Sequence, residues 1–209
     1  MKRALFVCGG WDGHTPKESA EVLVPWLAEQ GYEVDVSESL DSFADTARLN
    51  ALDLVVPVWT MGRLTAEQEK GLCDAVASGV GLAGWHGTMC DSFRENTNYQ
   101  WMTGGQWVAH PGDIRPAYRV RIVDPRHPIT AGMGDFTLRE TEQYYLHVDP
   151  ENEVLADTTF DNGVVMPVVW TRTWGKGRVA YASFGHTYKD FETPEARRIM
   201  ERCLLWASR

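Results

Sequence analysis

The sequence predicts an α/β fold, a doubly wound and mostly parallel sheet with a β-rich insertion before the last strand. Three observations predict it. Short apolar segments alternate with helical segments through the first half of the chain, loops rich in glycine and histidine follow several of them, and the second half changes to segments of period two before a final buried strand and helix. Alternating strands and helices are typical of a parallel sheet covered by helices on both faces.

Four strands are predicted in the first half of the chain, at Arg3–Cys8, Glu33–Glu38, Leu54–Trp59 and Val80–Trp85. Three are short apolar runs, which are typical of strands buried on both faces, and the second alternates. Two helices lie between them. Both are expected to begin with a Thr followed three residues later by Glu or Gln, in Thr15–Glu18 and Thr65–Gln68, which is the pattern of a capping box. Each is expected to end before a glycine.

Beyond Gly104 the chain changes to period-two segments, which indicates antiparallel or mixed pairing. These segments are Ala117–Asp124, Gln143–Val148, Glu153–Phe160 and Val164–Trp174. A tight turn at Gly175–Arg178 leads into the last buried strand, Val179–Phe184, and Thr193 is expected to cap a terminal helix. Because no linker, repeat or low-complexity stretch interrupts the chain, residues 1–209 are predicted to form one domain.

Composition excludes several classes of partner. The 209 residues carry a net charge of −9 and contain no run of Lys and Arg, so binding to nucleic acid or to a membrane surface is not expected. No segment has the length of a signal peptide or a membrane span, so the protein is expected in the cytoplasm. The four cysteines lie far apart, which is typical of reduced thiols rather than of a zinc motif or a disulfide framework.

Ligands of open α/β sheets bind beyond the carboxyl ends of the strands. The residues at these places are His14 in the loop after the first strand, Trp59 at the end of the third, and His86 and His186 after the fourth and the last. A lone histidine is more often structural than functional. His86 is the strongest candidate, because Gly84–Gly87 has the strand-to-helix turn chemistry of a nucleophile elbow.

The remaining polar candidates carry two interpretations each. His14 precedes the expected helix cap, and His110 lies in a glycine-flanked, aromatic-rich loop of the kind that covers a pocket, so a structural role and a binding role carry equal weight for both. Glu142, expected to open a strand beside Tyr144, is either an acid–base or hydroxyl-binding group or a solvated strand end. Asp12 is either a hydroxyl acceptor or a turn former.

Tryptophan is the unusual feature of the composition, with nine in the chain. Several fall at strand ends or in loops, where a flat apolar ring is suited to a ligand pocket. The three expected to face a sugar ring are Trp11, Trp59 and Trp85.

Eight motifs in this order resemble the ThuA-like (trehalose utilisation) proteins, whose fold is related to the class I glutamine amidotransferases. The resemblance covers nearly the whole chain and rests on Gly9-Gly10 through His14-Thr15-Pro16, Trp59 with Gly62, Gly84-Trp85-His86-Gly87, Gly104-Gly105 through His110-Pro111, His127-Pro128-Ile129-Thr130, Glu142 with Tyr144, Gly175-Lys176-Gly177-Arg178-Val179, and Gly185-His186. It implies a flavodoxin-like sheet in which His86 occupies the elbow of the absent amidotransferase cysteine and His186 falls near the amidotransferase histidine. It also implies a link to trehalose and related disaccharides, including sugars oxidised at the 3-position.

Two departures from the family pattern concern the choice of substrate. The family often has an acidic residue before the glutamate, where this chain has Thr141, and the segment Met89–Trp101 is long and specific to a subgroup.

The leading hypothesis is an enzyme that acts on a sugar or keto-sugar by acid–base chemistry, with His86, His186 and Glu142 as catalytic residues. In a variant of it, His14, His86 and His186, with or without Glu142, hold zinc or another divalent metal, although no H-x-x-x-H spacing supports the variant. The rival hypothesis is a sugar-binding or regulatory module that kept the fold and lost catalysis.

An amidotransferase that uses a thiol is disfavoured, because Cys8 and Cys90 are expected in the core. The expected partner is a small-molecule carbohydrate, bound by the tryptophans together with His110 and Tyr144. The sequence does not decide whether the protein forms a homo-oligomer, and the apolar segment Val164–Trp174 is a candidate dimer edge.

Overall fold

The computed structural model describes residues 1–209. Its strands are β1 (Lys2–Gly10), β2 (Tyr32–Ser37), β3 (Leu54–Thr60), β4 (Gly81–Trp85), β5 (Gly105–Ala109), β6 (Ile114–Ile122), β7 (Phe136–Glu142), β8 (Tyr145–Val148), β9 (Glu153–Thr159), β10 (Val165–Trp174) and β11 (Gly177–Ala182). Its α-helices are α1 (Pro16–Glu29), α2 (Thr46–Asn50), α3 (Ala66–Ser78), α4 (His86–Cys90), α5 (Thr97–Thr103) and α6 (Pro194–Ala207). Short 3₁₀ turns cover Asp12–His14, Leu40–Phe43 and Tyr188–Glu192.

Nine strands form one mixed sheet in the order β2-β1-β3-β4-β11-β10-β9-β6-β7. The first five run parallel to one another, and each later pairing is antiparallel. The predicted α/β class with a large sheet is therefore confirmed. The strands between β4 and β11 do not stand apart from it: four extend the same sheet, and only β5 and β8 pair as a separate ribbon.

The two faces of the sheet are buried in separate apolar clusters. Along β1, Phe6 and Cys8 pack into the cluster that contains the buried residues of α1 and α6, whereas Leu5 and Val7 pack into the cluster of α3 and α5. Alternate side chains of a strand point to opposite faces, so the continuous apolar run of β1 follows from burial on both sides. None of the helices combines the length and apolar character that crossing a membrane requires.

Two strands, β5 and β7, were not predicted from the sequence, and the candidate dimer edge is wrong. The segment of β7 alternates at its start, where Phe136 and Leu138 are buried and Thr137 between them is exposed, but its carboxyl end carries charged rather than turn-forming residues. Glu142 consequently ends β7 instead of opening a strand. Strand β10, a candidate dimer edge, pairs with β9 on one side and β11 on the other, so its backbone offers no free edge.

The helix starts agree with the predicted caps only in part. Thr65 caps α3 with a complete capping box, in which Gln68 bonds back to the Thr65 backbone. Thr15 instead has a left-handed φ of 47° and makes no capping bond. Its hydroxyl accepts a hydrogen bond from the backbone N–H of Tyr188 at 3.0 Å, which joins the start of α1 to the loop after β11. Thr193 precedes α6 without a side-chain cap.

Candidate active site

Four side chains from distant parts of the chain meet at one edge of the sheet. They are His14, His86, Glu142 and His186, and one nitrogen or oxygen of each lies within 4.8 Å of those of the others. His14 follows β1, His86 follows β4, Glu142 ends β7 and His186 lies beyond β11. These four strands run in the same direction, so their carboxyl ends share one edge. We refer to the four residues as the His/Glu cluster.

His86 is held rigidly at the turn from β4 into α4. Its φ of 44° is unusual for a residue with a side chain and matches the strained turn expected of an elbow. The ring is fully buried, with Nδ1 2.8 Å from the carbonyl oxygen of Ser183 and Nε2 3.0 Å from Oε2 of Glu142. The ring of Tyr144 stacks on it at a centroid distance of 3.7 Å. His86 therefore has one orientation and no contact with solvent.

His14 is also buried, although it lies on an exposed turn. Its Nδ1 is 2.8 Å from Oγ1 of Thr60, and its ring stands edge-on to His86 and His186 at centroid distances of 4.8 and 5.2 Å. Burial, followed by the nearby imidazoles His86 and His186, lowers the pKa of His14 to about 2. The imidazole is therefore neutral at cellular pH.

Glu142 is the centre of the cluster. Its Oε2 lies 3.0 Å from Nε2 of His86 and 3.3 Å from Nδ1 of His186, and its Oε1 lies 3.8 Å from Nε2 of His110. Burial alone would raise the pKa of this carboxyl, but the contacts with His186 and His86 outweigh it and hold the pKa below its usual range. Glu142 is therefore ionised.

Asp190 fixes the loop that carries His186. Its Oδ2 accepts hydrogen bonds from the backbone N–H groups of Gly185 and His186, at 2.8 and 3.0 Å, and from the hydroxyl of Thr141 at 2.7 Å. Thr141 immediately precedes Glu142 in β7, so one buried carboxylate ties the end of this strand to the loop that carries His186. Asp190 was not predicted as a site residue.

A small cavity of about 110 Å³ opens beside the cluster. Its lining residues are Trp11, His14, Met61, Asp91, Arg94, Trp107, His110, Glu142 and Tyr144. Five of these, Trp11, His14, His110, Glu142 and Tyr144, are among the predicted site residues. His86 lies behind this lining, and His186 lines instead a wider cleft of about 640 Å³ on the other side, together with Arg139 and Lys189.

The sequence reasoning missed one wall of the cavity. There the Asp91 carboxylate accepts a hydrogen bond from Nε of Arg94, whose guanidinium lies 4.6 Å from the ring centre of Trp107. Burial raises the pKa of Asp91, and Arg94 only partly offsets the rise. Asp91 and Arg94 belong to the segment Met89–Trp101, and their i, i+3 spacing directly after the short helix α4 is the signal that was available.

Three predicted binding residues do not line this cavity. Trp85 is fully buried and packs against Phe191, because it precedes the turn at His86 and points into the core between the sheet and α6. Its assignment as a sugar-facing residue is therefore wrong. The ring of Trp59 lies over Gly9 and Gly62, where any Cβ atom would overlap it. Asp12 is exposed on the turn after β1.

No thiol reaches the site. All four cysteines are buried. Burial raises the pKa of Cys8 to about 11 and that of Cys73 to about 12, and it also raises those of Cys90 and Cys203. Because the thiolate is the reactive form, none of them is placed or ionised for nucleophilic chemistry.

Comparison with known proteins identifies the family of the chain. The family described as ThuA, trehalose utilisation, matches residues 3–207. The fold is similar to that of a putative ThuA-like protein of Bacteroides uniformis (TM-score 0.80, 16% identity, 99% of this chain and 91% of that one). It is also similar to one of Parabacteroides merdae (0.80, 18%, 99% and 89%) and to a cytoplasmic protein of Salmonella typhimurium (0.72, 13%, 99% and 100%). A search of the curated proteins finds no match. The chain therefore belongs to the ThuA family.

Proposed function

We propose that this protein is a carbohydrate-utilisation enzyme that acts on trehalose-type disaccharides or their 3-keto derivatives by acid–base chemistry at the His/Glu cluster. One observation carries the proposal: an ionised, buried carboxylate, Glu142, is oriented by imidazoles and faces a cavity that has tryptophans in its wall. The order of the parallel strands supports a flavodoxin-like lineage, in which ligands bind at this edge of the sheet.

The cavity suits part of one sugar ring. A volume of about 110 Å³ corresponds to roughly four water molecules at ~30 Å³ each, so one edge of a pyranose enters while the rest stays outside. The exposed ring of Trp11 and the ring of Trp107 supply apolar faces of the kind on which sugars stack. Beside Trp107, Asp91 and Arg94 supply an acceptor and donors for hydroxyl or carbonyl oxygens.

The catalytic roles follow from access to the cavity. Glu142 lines it and is ionised, so it is the base that removes a proton from carbon next to the carbonyl of a keto-sugar. His110 also lines it and lies near the second oxygen of Glu142, so it is placed to deliver a proton to a sugar oxygen. His86 and His186 do not reach the cavity and act as positioning residues for the carboxylate. This differs from their expected role as the proton-transfer pair.

A sugar-binding module without catalysis is the second candidate function. It is favoured by the complete burial of His86, since the residue at the elbow has no contact with a ligand in the cavity. In either case the expected partner is a small-molecule carbohydrate rather than nucleic acid or membrane, and the expected location is the cytoplasm. A homo-oligomer could not add a strand to β10, because both backbone edges of β10 are paired within the sheet.

The test is proton NMR of the protein incubated with trehalose, related disaccharides and their 3-keto forms. New product signals that disappear in Glu142→Gln and persist in His147→Ala, whose side chain is exposed on β8, would support the enzyme. Line broadening without product would favour the binding module. Product formation at an unchanged rate in Glu142→Gln would exclude the proposed base, and no interaction with any of these sugars would exclude the substrate class.

A further inference from the structure

We infer that His14, His86, Glu142 and His186 together bind one divalent transition-metal ion of the zinc class. The inference deepens the proposed function, because it concerns the same site, but it rests on the donor atoms of these side chains and not on the identity of a substrate. The ion would be bound through Oε2 of Glu142, which leaves Oε1, the oxygen that faces His110, as the proposed base.

The hydrogen bonds of His86 leave a lone pair facing a carboxylate. A backbone carbonyl only accepts hydrogen bonds, so the proton of a neutral His86 ring must lie on Nδ1, 2.8 Å from the Ser183 oxygen. The Nε2 lone pair then points at Oε2 of Glu142 from 3.0 Å, where both atoms are acceptors. A cation between them turns this repulsion into attraction.

Two further nitrogens converge on the same point. His14 uses Nδ1 for its contact with Thr60, which leaves its second nitrogen without a protein partner. Nδ1 of His186 is buried, lies 3.3 Å from Oε2 of Glu142 and makes no hydrogen bond. Protons on His86 Nε2 and His186 Nδ1 would satisfy the two contacts with the carboxylate but would leave the second nitrogen of His14 unused, whereas one metal ion would engage all four donors.

The spacing of the donors fits a metal after a small contraction. An ion bound tetrahedrally at ~2.0–2.1 Å places its ligand atoms about 3.4 Å apart. The two contacts of Glu142 with His86 and His186, at 3.0 and 3.3 Å, already have this spacing, and the widest pair in the cluster is within 4.8 Å. Small movements of two side chains toward each other would bring the widest pair from 4.8 Å to the tetrahedral spacing of about 3.4 Å.

The partners behind the ligands are those of a metal site. The Ser183 carbonyl fixes the tautomer of His86 so that Nε2 is free to bind, and the Thr60 hydroxyl orients His14. Asp190 holds the backbone of His186. Such outer partners set the direction and basicity of ligating imidazoles.

The donor set also indicates the class of ion. Three imidazole nitrogens and one carboxylate suit Zn²⁺ and its first-row neighbours, whereas Mg²⁺ and Ca²⁺ prefer oxygen ligands. His14 and Glu142 line the cavity, so an ion among the four would be reachable from it. Because the four side chains fill a tetrahedral shell, such an ion would polarise an oxygen of a ligand in the cavity only by taking it as a fifth ligand.

The test is metal binding to the intact, untagged chain after dialysis against a chelator. Titration calorimetry with Zn²⁺, and visible absorption with Co²⁺ as the probe, should each give one ion per chain, with no competition from excess Mg²⁺. His14→Ala, His186→Ala and the isosteric Glu142→Gln should each weaken Co²⁺ binding by roughly 100-fold. This is the upper end of the effect of losing an outer partner, and the loss of a ligand should cost at least as much. His147→Ala, an exposed histidine on β8, is the matched control and should bind as the unaltered chain does.

The inference is overturned if the stripped, folded chain binds neither Zn²⁺ nor Co²⁺ saturably, or if the cluster variants and His147→Ala bind equally well, since binding would then come from surface groups. Circular dichroism melts identify variants that have lost the fold, and Glu142→Gln, which keeps the side-chain volume, carries the conclusion if an alanine variant unfolds. Stoichiometric metal binding without any sugar product would overturn the proposed function and leave the metal site standing. Sugar turnover by a chain that binds neither Zn²⁺ nor Co²⁺ saturably would do the reverse.

Discussion

Nε2 of His86 lies 3.0 Å from Oε2 of Glu142, although the two residues are 56 positions apart in the chain. The contact joins the end of the central parallel strand β4 to the end of the edge strand β7, so it links the two halves of the mixed sheet at the candidate active site. We expect Glu142→Gln to lower sugar turnover by about 10²–10⁴-fold, because the amide cannot act as a base. Steady-state kinetics would measure the loss. Glu140→Gln, an exposed glutamate on the same strand, is the control and should keep at least half of the activity.

Thiol reagents provide a second prediction. Burial holds the pKa of Cys8 at about 11, so its thiol stays protonated at any pH well below that value. The folded protein should therefore react with iodoacetamide negligibly between pH 7 and 9 on a scale of hours, and all four cysteines should react once it is unfolded. Mass spectrometry counts the adducts. Rapid labelling of one cysteine in the folded state, with loss of activity, would revive the thiol mechanism.

The two tryptophans at the ends of β1 and β4 should respond in opposite ways. Trp85→Ala removes a fully buried ring and is expected to lower the free energy of unfolding by about 3–5 kcal/mol. Trp11 is 47% exposed, so Trp11→Ala should change the free energy of unfolding by less than about 0.5 kcal/mol but should weaken sugar binding. Urea unfolding and NMR titration measure the two effects. Equal loss of stability would show that Trp11 packs in the core.

Asp190 is expected to act through His186 rather than on a ligand. Asp190→Ala leaves the Gly185 and His186 N–H groups and the Thr141 hydroxyl without their acceptor. The stability cost should be about 1–3 kcal/mol for each group that stays buried and unsatisfied. The pH profile of turnover should change as well, because the imidazole is released from its fixed position beside Glu142. A loss of stability with an unchanged pH profile would assign Asp190 a structural role only.

The helix caps give a paired stability test. Thr65→Ala breaks the capping box of α3 and should cost about 1 kcal/mol. Thr15→Gly removes no capping bond and relieves a left-handed φ of 47°, although it also loses the contact with Tyr188, so its cost should be smaller. Thermal melts of both variants, with the unaltered chain as reference, compare them directly. A larger cost for Thr15→Gly would show that the link to the loop after β11 outweighs the strain.

The parallel half of the fold could be predicted from the sequence because its signals are local. Continuous apolar runs mark β1, β3 and β4, and a Thr–Gln capping box marks α3. Strand β7 was missed because its alternation is short and its end carries Glu140 and Glu142, which mimic a solvated loop. Whether a charged residue at a strand end is exposed or buried depends on what covers it, and that information is not in the neighbouring sequence.

Some residues of the candidate site could likewise be predicted from the sequence, and others could not. His14, His86 and His186 could be singled out because each directly follows a strand of the parallel half. The sequence does not show which way a side chain points at a strand end, and Trp85 was misplaced for that reason. Asp91 and Asp190 were missed because their roles come from partners that only the tertiary fold supplies, Arg94 for the first and the His186 backbone for the second.

The cluster members lie at or just beyond the carboxyl ends of β1, β4, β7 and β11, and this arrangement has a consequence for folding. Contacts that join such distant segments require the closure of long loops. They form slowly because the chain loses conformational entropy on closing each loop before the new contacts stabilise it. No fragment of the chain holds the complete site. A signal from the site, such as the absorption of a bound ion or the linewidth of a bound sugar, should therefore appear later in refolding than the circular dichroism of the helices. Its rate would report when the whole sheet has formed.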